Sequence, residues 1–324
     1  MKATGTRRAA WSIRGYGLVA LGLVVATGFL DAPQAASQRK GAPQESFAAP
    51  EKAVEALGAA YKKGDRKTMA AILSDTGWRL VFSGDPVIDR HERAWFLSLY
   101  REGHEVAPES EDRAVLNLGK DEQPYPIPIV KAGDQWYFDP SEGHEDLLSR
   151  RIRKAELSAL NIVVVYVEAQ REYHKEPRQG DGVREYAQRL KSGPGQRDGL
   201  VWEGEAGEVA GPLAGLVEAA GKEGYLPAKS GQAPIYRGYV YRLLAAQGLR
   251  APGGARDYLI NGRMTEGFAL VAFPIRYGIS EVLIFMVNQD GVVYQKDLGP
   301  KTVEVGRKMT RFDPDMTWTK GQAN

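Results

Sequence analysis

The stretch VLIFMVNQDGVVYQKD, residues 282–297, decides the fold of the C-terminal third of the chain. Its first six residues are all apolar, and an apolar run of this length predicts a central strand that is covered on both faces. Asp290-Gly291 is a favoured pair for the tight turn between two antiparallel strands. With further strands predicted over residues 236–244 and 268–273, we expect an antiparallel meander.

The first half of the chain shows helical spacing instead. We predict helices from Pro50, after Asp65 and from Asp89, where residues 89–92 (DRHE) have the pattern of a capping box. Strands over residues 127–130 and 136–138 are separated by a short turn and predict a hairpin. A long helix follows from Asp139 to about Tyr173, and a short helical stretch is expected over residues 183–190.

These elements together predict the fold class. We expect an α+β protein with N-terminal helices on a small antiparallel sheet, a long central helix and a C-terminal antiparallel β-meander lobe. The predicted divisions are a signal peptide over residues 1–36, a disordered tether over 37–48, an N-terminal helical-plus-sheet lobe over 49–175, a connecting segment over 176–210 and a C-terminal sheet lobe over 211–319.

The first 36 residues have the pattern of an export signal. Four basic residues precede an apolar run over residues 16–30, which is short for a membrane span, and small residues follow at positions 35–37. We therefore expect a periplasmic or secreted protein with no stable membrane span after cleavage of the signal.

Charge and cysteine content exclude several classes of protein. The chain has 43 basic and 41 acidic residues, and the leader holds four of the basic residues and one acidic residue, so 39 and 40 remain. A nearly neutral mature protein has no electrostatic footprint for nucleic acid, and we expect no nucleic-acid partner. The chain contains no cysteine, which excludes disulfides and thiolate chemistry.

Motifs for catalysis, metals and cofactors are not found in the sequence. Three histidines precede glutamate, at positions 91, 104 and 144, but none is followed four residues later by the second histidine of a zinc site. Phosphate-binding and dinucleotide-binding loops also lack the required residues. We expect no metal and no cofactor, and no catalytic residue is assigned.

Weaker patterns supply the candidate ligand-binding residues. Asp85 lies in a tight turn and binds a ligand or closes its own turn. Arg150 and Glu156 lie on the long helix, where they hold an anion or form surface ion pairs. A strand near residue 240 carries aromatic side chains and a cation, which suit a glycan or a peptide but also suit core packing. The candidates on that strand are Tyr239, Tyr241 and Arg242.

An ordered series of motifs carries a resemblance to a known family. It includes SGDP at residues 83–86, WYFD at 136–139, RRI at 150–152, GYVYR at 238–242, APGG at 251–254 and DGVVYQKDLG at 290–299. Across about residues 47–318 the chain resembles the bacterial family catalogued as domain of unknown function 2950, whose members are generally exported. The resemblance implies export but no established activity and no catalytic residue.

These observations favour a non-catalytic envelope protein that binds another envelope protein or a cell-wall polymer. The alternative is a hydrolase of envelope material that uses carboxylates which no motif marks. Its candidates are Asp85, Glu156 and Asp198.

Overall fold

The fold is described from a computed structural model that covers residues 44–141, 144–205, 207–226, 232–279 and 281–321. The predicted signal peptide and residues 37–43 of the predicted tether lie outside these ranges. The predicted divisions of the chain remain predictions.

Three helices open the described chain: α1 (Pro50–Lys63), α2 (Arg66–Val81) and α3 (Pro86–Glu102). Gly64 ends α1 at a positive φ of 68°, and the carboxylate of Asp65 accepts the first backbone N–H groups of α2. The predicted start of the third helix at Asp89 is wrong, because Asp85 caps α3 and Pro86 fills its first turn. The carboxylate of Asp89 instead accepts the backbone N–H and the hydroxyl of Ser83.

A small antiparallel sheet follows these helices. Its strands are β1 (His104–Ser110), β2 (Arg113–Leu118), β3 (Gln123–Pro124), β4 (Ile129–Ala132) and β5 (Gln135–Phe138). Their order is β1-β2-β4-β5, and β3 also pairs with β2. The three helices and this sheet share a first hydrophobic core, in which Leu57, Ile72 and Phe138 are fully buried.

The long central helix α4 spans His144–His174 and, at 31 residues, is about 46 Å long. It begins five residues after Asp139, whose carboxylate accepts the backbone N–H of Ser141 in a short preceding turn. Its buried side, with Val163 and Val167, contributes to a second hydrophobic core. Burial of Val163 in this core favours the helix despite the β-branched run over residues 163–165.

The predicted helix over residues 183–190 is wrong. The segment is extended, and the side chain of Gln170 on α4 exchanges two hydrogen bonds with the backbone of Ala187. The strands here are β6 (Arg189–Lys191), β7 (Gly199–Glu203) and β8 (Val209–Ala210), and β6 pairs with β7 in parallel. Helix α5 (Ala214–Lys222) follows.

The C-terminal part is a six-stranded antiparallel sheet, as predicted. Its order is β18-β17-β16-β15-β10-β9, and two short strand pairs, β11 with β12 and β13 with β14, lie outside it. Gly291 turns between β16 and β17 at a φ of 77°. Helix α4 packs on β16, and helix α6 packs on β15. The bounds are β9 Ile235–Tyr236, β10 Tyr239–Leu244, β11 Ala246–Gln247, β12 Arg256–Asp257, β13 Leu259–Ile260, β14 Arg263–Met264, β15 Ala269–Pro274, β16 Leu283–Asn288, β17 Tyr294–Asp297, α6 Thr302–Lys308 and β18 Thr319–Lys320.

The α+β prediction is therefore confirmed, with helices on a small sheet, a long central helix and a C-terminal antiparallel meander. Within the described ranges, no helix is both long enough and apolar enough to cross a membrane.

Candidate functional site

A groove of about 600 Å³ runs along the exposed side of α4. One face of α4, from Arg150 to Val165, forms its floor, and Leu216 of α5 together with Tyr236 and Arg237 at the end of β9 forms the opposite wall. We call it the α4 groove. Its volume lies within the range of small-molecule pockets, although its floor is an open helix face.

The spacing of the residues along the floor shows that they lie on a single face of α4. The residues at positions 150, 154, 157, 161 and 165 recur every three or four residues, so their side chains lie one above another on α4. Fifteen residue steps at 1.5 Å give this face a length of about 22 Å. The α4 groove is thus an elongated surface along the helix axis.

Three cations occupy one end of the groove: Arg150, Arg153 and Lys154 are all exposed. None of them forms an ion pair within the part of the chain that the structure describes. They lie in the second and third turns of α4. This end of the groove is suited to an anion.

The other end of the groove is mostly apolar, with the exposed amide of Asn161 among its side chains. The side chains of Leu157 and Val165 on its floor are 48% and 43% exposed, although both lie on a helix whose other side is part of the core. Ile162 and Leu216 are half-buried beside them. The groove therefore combines a cationic end with an apolar end.

The wall at β9 carries little net charge of its own. The guanidinium of Arg237 pairs with the carboxylate of Glu223 at 2.5 Å, and its hydrogen bonds lower the pKa of that carboxyl. The hydroxyl of Tyr236 also donates to Glu223, at 3.1 Å. Arg237 further reaches the hydroxyl of Ser158 on α4, at 3.4 Å, which ties the wall to the floor. The excess positive charge of the groove thus comes from α4.

Comparison with known proteins identifies the family. The model of a family described as protein of unknown function (DUF2950) matches residues 44–320. The chain belongs to this family. No curated protein and no solved structure matches the chain.

Of the residues predicted to bind a ligand in this family member, Arg150 is the one that lines the α4 groove. Asp85 lies elsewhere and is fully buried. Its Oδ1 accepts the backbone N–H groups of Val87 and Ile88, and its Oδ2 accepts the hydroxyl of Tyr225 and the backbone N–H of Gly238. Asp85 thus caps its own helix, as one interpretation of its turn predicted, and also contacts distant segments.

Glu156 faces β16 rather than the groove. One oxygen of its carboxylate accepts the backbone N–H groups of Val282 and Leu283, and burial raises the pKa of the group. The other carboxylate named for the hydrolase alternative, Asp198, pairs with Arg189 at 3.1 Å and accepts the backbone N–H of Gly193. The structure does not bring these carboxylates into one groove.

The tyrosines on the strand near residue 240 pack into the core, which is one of the two roles considered for them. Tyr239 and Tyr241 are buried, because β10 lies between β9 and β15 and their shared face packs into the second core. Tyr239 donates to the carbonyl of Leu283 at 3.0 Å. The hydroxyl of Tyr241 has no hydrogen-bond partner among the described residues.

The side chain of Arg242 binds the C-terminal end of a helix. Its guanidinium donates to the carbonyl oxygens of Gly306, Arg307 and Met309, which lie at the C-terminal end of α6. These contacts satisfy carbonyl groups that the helix itself leaves free. Its predicted role in ligand binding remains a prediction.

Sequence reasoning missed most of the groove. The helical projection of α4 contains a usable signal, since Arg153 and Lys154 precede Leu157 and Val165 on the same side. The contribution of Leu216, Tyr236 and Arg237 has no local signal, because α5 and β9 reach α4 only through the tertiary fold. Among the residues that the structure describes, no group of three or more histidine, aspartate and glutamate side chains could hold a metal ion.

Proposed function

We propose that the protein is an exported, non-catalytic binding protein of the cell envelope, and that it holds an anionic ligand in the α4 groove. One observation carries the proposal: Arg150, Arg153 and Lys154 stand together at one end of a groove whose floor continues into exposed Leu157 and Val165.

Cations elsewhere on the helices of this protein are commonly paired. Arg79 bonds Asp75, Arg171 bonds Glu168 and Lys308 bonds Glu304, each one helical turn apart. In the groove, Arg153 has an acid three residues later, but the carboxylate of Glu156 is engaged with the backbone of β16. A cluster of like charges on one helix face repels itself, and a bound anion relieves that repulsion.

The placement of the carboxylates supports binding over hydrolysis. A hydrolase of the kind considered above needs a carboxylate that reaches the substrate. The carboxylates of Asp85 and Glu156 accept N–H and O–H groups of the protein and lie outside the α4 groove. The basic and apolar leader over residues 1–36 supports the envelope location.

The binding part of the proposal is tested with the mature chain from Ser37, immobilised and exposed to an envelope extract. The groove variant carries Arg150→Glu, Arg153→Glu and Lys154→Glu. The matched control carries Arg184→Glu, Lys191→Glu and Lys301→Glu, which changes net charge equally at exposed positions elsewhere. We expect the natural chain and the control to retain the same envelope component, and the groove variant to lose it. Retention by all three proteins, or by none, would contradict the proposal.

The location is tested by fractionating cells that produce the full chain. We expect the protein in the periplasmic or secreted fraction, with a new N-terminus near Ser37. An uncleaved chain in the cytoplasmic fraction would contradict export.

A further inference from the structure

We infer that the occupant of the α4 groove is an acidic amphipathic helix of a partner protein. This inference rests on the proposed function and names the chemistry of its ligand.

The shape of the groove is the first argument. Its floor is about 22 Å long, which matches four turns of a helix. Its floor is α4, and α5 with the end of β9 forms its wall. An amphipathic helix placed along such a groove buries one of its faces. That face would run along Leu157, Asn161 and Val165, which are spaced i, i+4 and i+8 on α4.

The polarity of the groove is the second argument. Arg150, Arg153 and Lys154 lie at one end, and Leu157, Val165 and Leu216 lie towards the other. A complementary helix has carboxylates in one terminal turn and an apolar stripe over the rest of its length. Such charge complementarity also fixes the direction in which the partner helix binds.

Two other anionic occupants fit less well. A cell-wall polysaccharide is commonly held by exposed aromatic faces. Among the described residues, the one aromatic side chain that lines the groove is Tyr236. Its hydroxyl bonds Glu223, and its ring lies 5.2 Å from the guanidinium of Arg237. An acyl-chain anion favours a pocket that encloses it. Leu157 and Val165 are nearly half exposed on an open floor, and a helix about 10 Å wide covers them better than a single chain.

The test uses fluorescence anisotropy with labelled 16-residue peptides and the folded mature protein. Two peptides carry leucines on one helix face and three glutamates in either the first or the last turn. One control has the same composition but its leucines are distributed around the helix, and a second control has a central proline in place of one leucine. We expect one of the two designed peptides to bind at least about tenfold more tightly than both controls.

Protein variants locate the binding. We expect Leu157→Asn with Val165→Asn to weaken binding of that peptide about tenfold. The groove variant, with Arg150→Glu, Arg153→Glu and Lys154→Glu, should weaken it to a similar degree. The matched control, with Arg184→Glu, Lys191→Glu and Lys301→Glu, should leave it unchanged. Equal binding of the designed and control peptides would overturn the inference.

Isolated peptidoglycan sacculi and laurate vesicles serve as competing ligands. Suppose that sacculi or laurate bind the natural protein but not the groove variant, and that the designed peptides do not bind. The helical occupant is then wrong, while the proposed function stands. If peptides, sacculi and laurate all fail to bind the natural protein, the proposed function fails together with the inference.

Discussion

The carboxylate of Asp85 accepts a hydrogen bond at 2.9 Å from the hydroxyl of Tyr225, a residue 140 positions further along the chain. The same oxygen accepts the backbone N–H of Gly238, also at 2.9 Å, while the other oxygen caps α3. One buried side chain thus both begins a helix packed on the first core and holds the segment between α5 and β10. This relationship joins the two halves of the structure.

Replacement of Asp85 by asparagine tests this junction. Asparagine still caps a helix, but its NH₂ group faces the N–H of Gly238 and cannot accept it, so we expect a loss of about 2–4 kcal/mol in the free energy of unfolding. Asp65→Asn is the matched control, because Asp65 caps α2 at an exposed position and asparagine caps almost equally well. Urea denaturation measures both variants. Equal stability losses would show that the distant contacts of Asp85 contribute nothing.

A second prediction concerns Gly238, which has a φ of 85°. A Cβ at this position would collide with the carboxylate of Glu281. Gly278 has a similar φ of 71° but open space around it. We expect Gly278→Ala to cost roughly 1–2 kcal/mol from backbone strain alone, and Gly238→Ala to cost about 2 kcal/mol more because of the collision. Thermal unfolding compares the two, and a smaller loss at Gly238 would contradict the packing.

The neighbouring Arg150 and Arg151 provide a third prediction. The guanidinium of Arg151 donates to the carbonyl oxygens of Arg79, Leu80 and Ile279, whereas Arg150 is exposed in the α4 groove. We expect Arg151→Met to lower the free energy of unfolding by about 2–4 kcal/mol, because buried carbonyl groups lose their donors. Arg150→Met should change stability by less than about 0.5 kcal/mol and weaken ligand binding instead. Denaturation and a binding assay on both proteins separate the roles, and similar behaviour of the two variants would contradict them.

The buried carboxyl of Glu156 predicts a pH dependence. Burial raises its pKa in the folded state, despite the opposing backbone hydrogen bonds from Leu283 and Val282. The folded protein therefore binds this proton more tightly than the unfolded chain, so the contribution of Glu156 to stability is greatest below the unfolded pKa and falls as pH rises through the folded pKa.

Glu156→Gln removes this titration but keeps an oxygen that accepts the same two N–H groups. We expect urea denaturation between about pH 4 and 7 to show a smaller fall in stability with rising pH for the variant than for the natural protein. Glu168→Gln, at an exposed site on the same helix, is the control. An unchanged slope in Glu156→Gln would contradict the assignment.

The fold follows from local signals where the chain supplies them. Asp290-Gly291 predicts the β16–β17 turn, and the apolar run over residues 282–287 predicts the covered strand. The start of α3 does not follow from the sequence, because Asp85 and Asp89 both have capping patterns. The choice between them depends on Ser83, whose hydroxyl donates to Asp89. The helix predicted over residues 183–190 fails because a glutamine on α4 binds the backbone of that segment.

The groove was less predictable than the fold. The place of Arg150 on a helix predicts its role, but its neighbours across the groove lie more than 60 residues away in sequence. Alternate residues of a strand share a face, so Tyr239 and Tyr241 lie on the same side of β10. Whether that side is covered depends on strand order and on α4. Exposure is thus a property of the tertiary packing rather than of the strand itself.

The binding of labelled poly-glutamate by the mature protein, followed by anisotropy, tests most directly the claim that the α4 groove holds an anion. We predict that Arg150→Glu with Arg153→Glu and Lys154→Glu weakens binding at least about tenfold more than Arg184→Glu with Lys191→Glu and Lys301→Glu, which alters net charge equally. Equal weakening by both triple variants, or no binding by the natural protein, would contradict the claim.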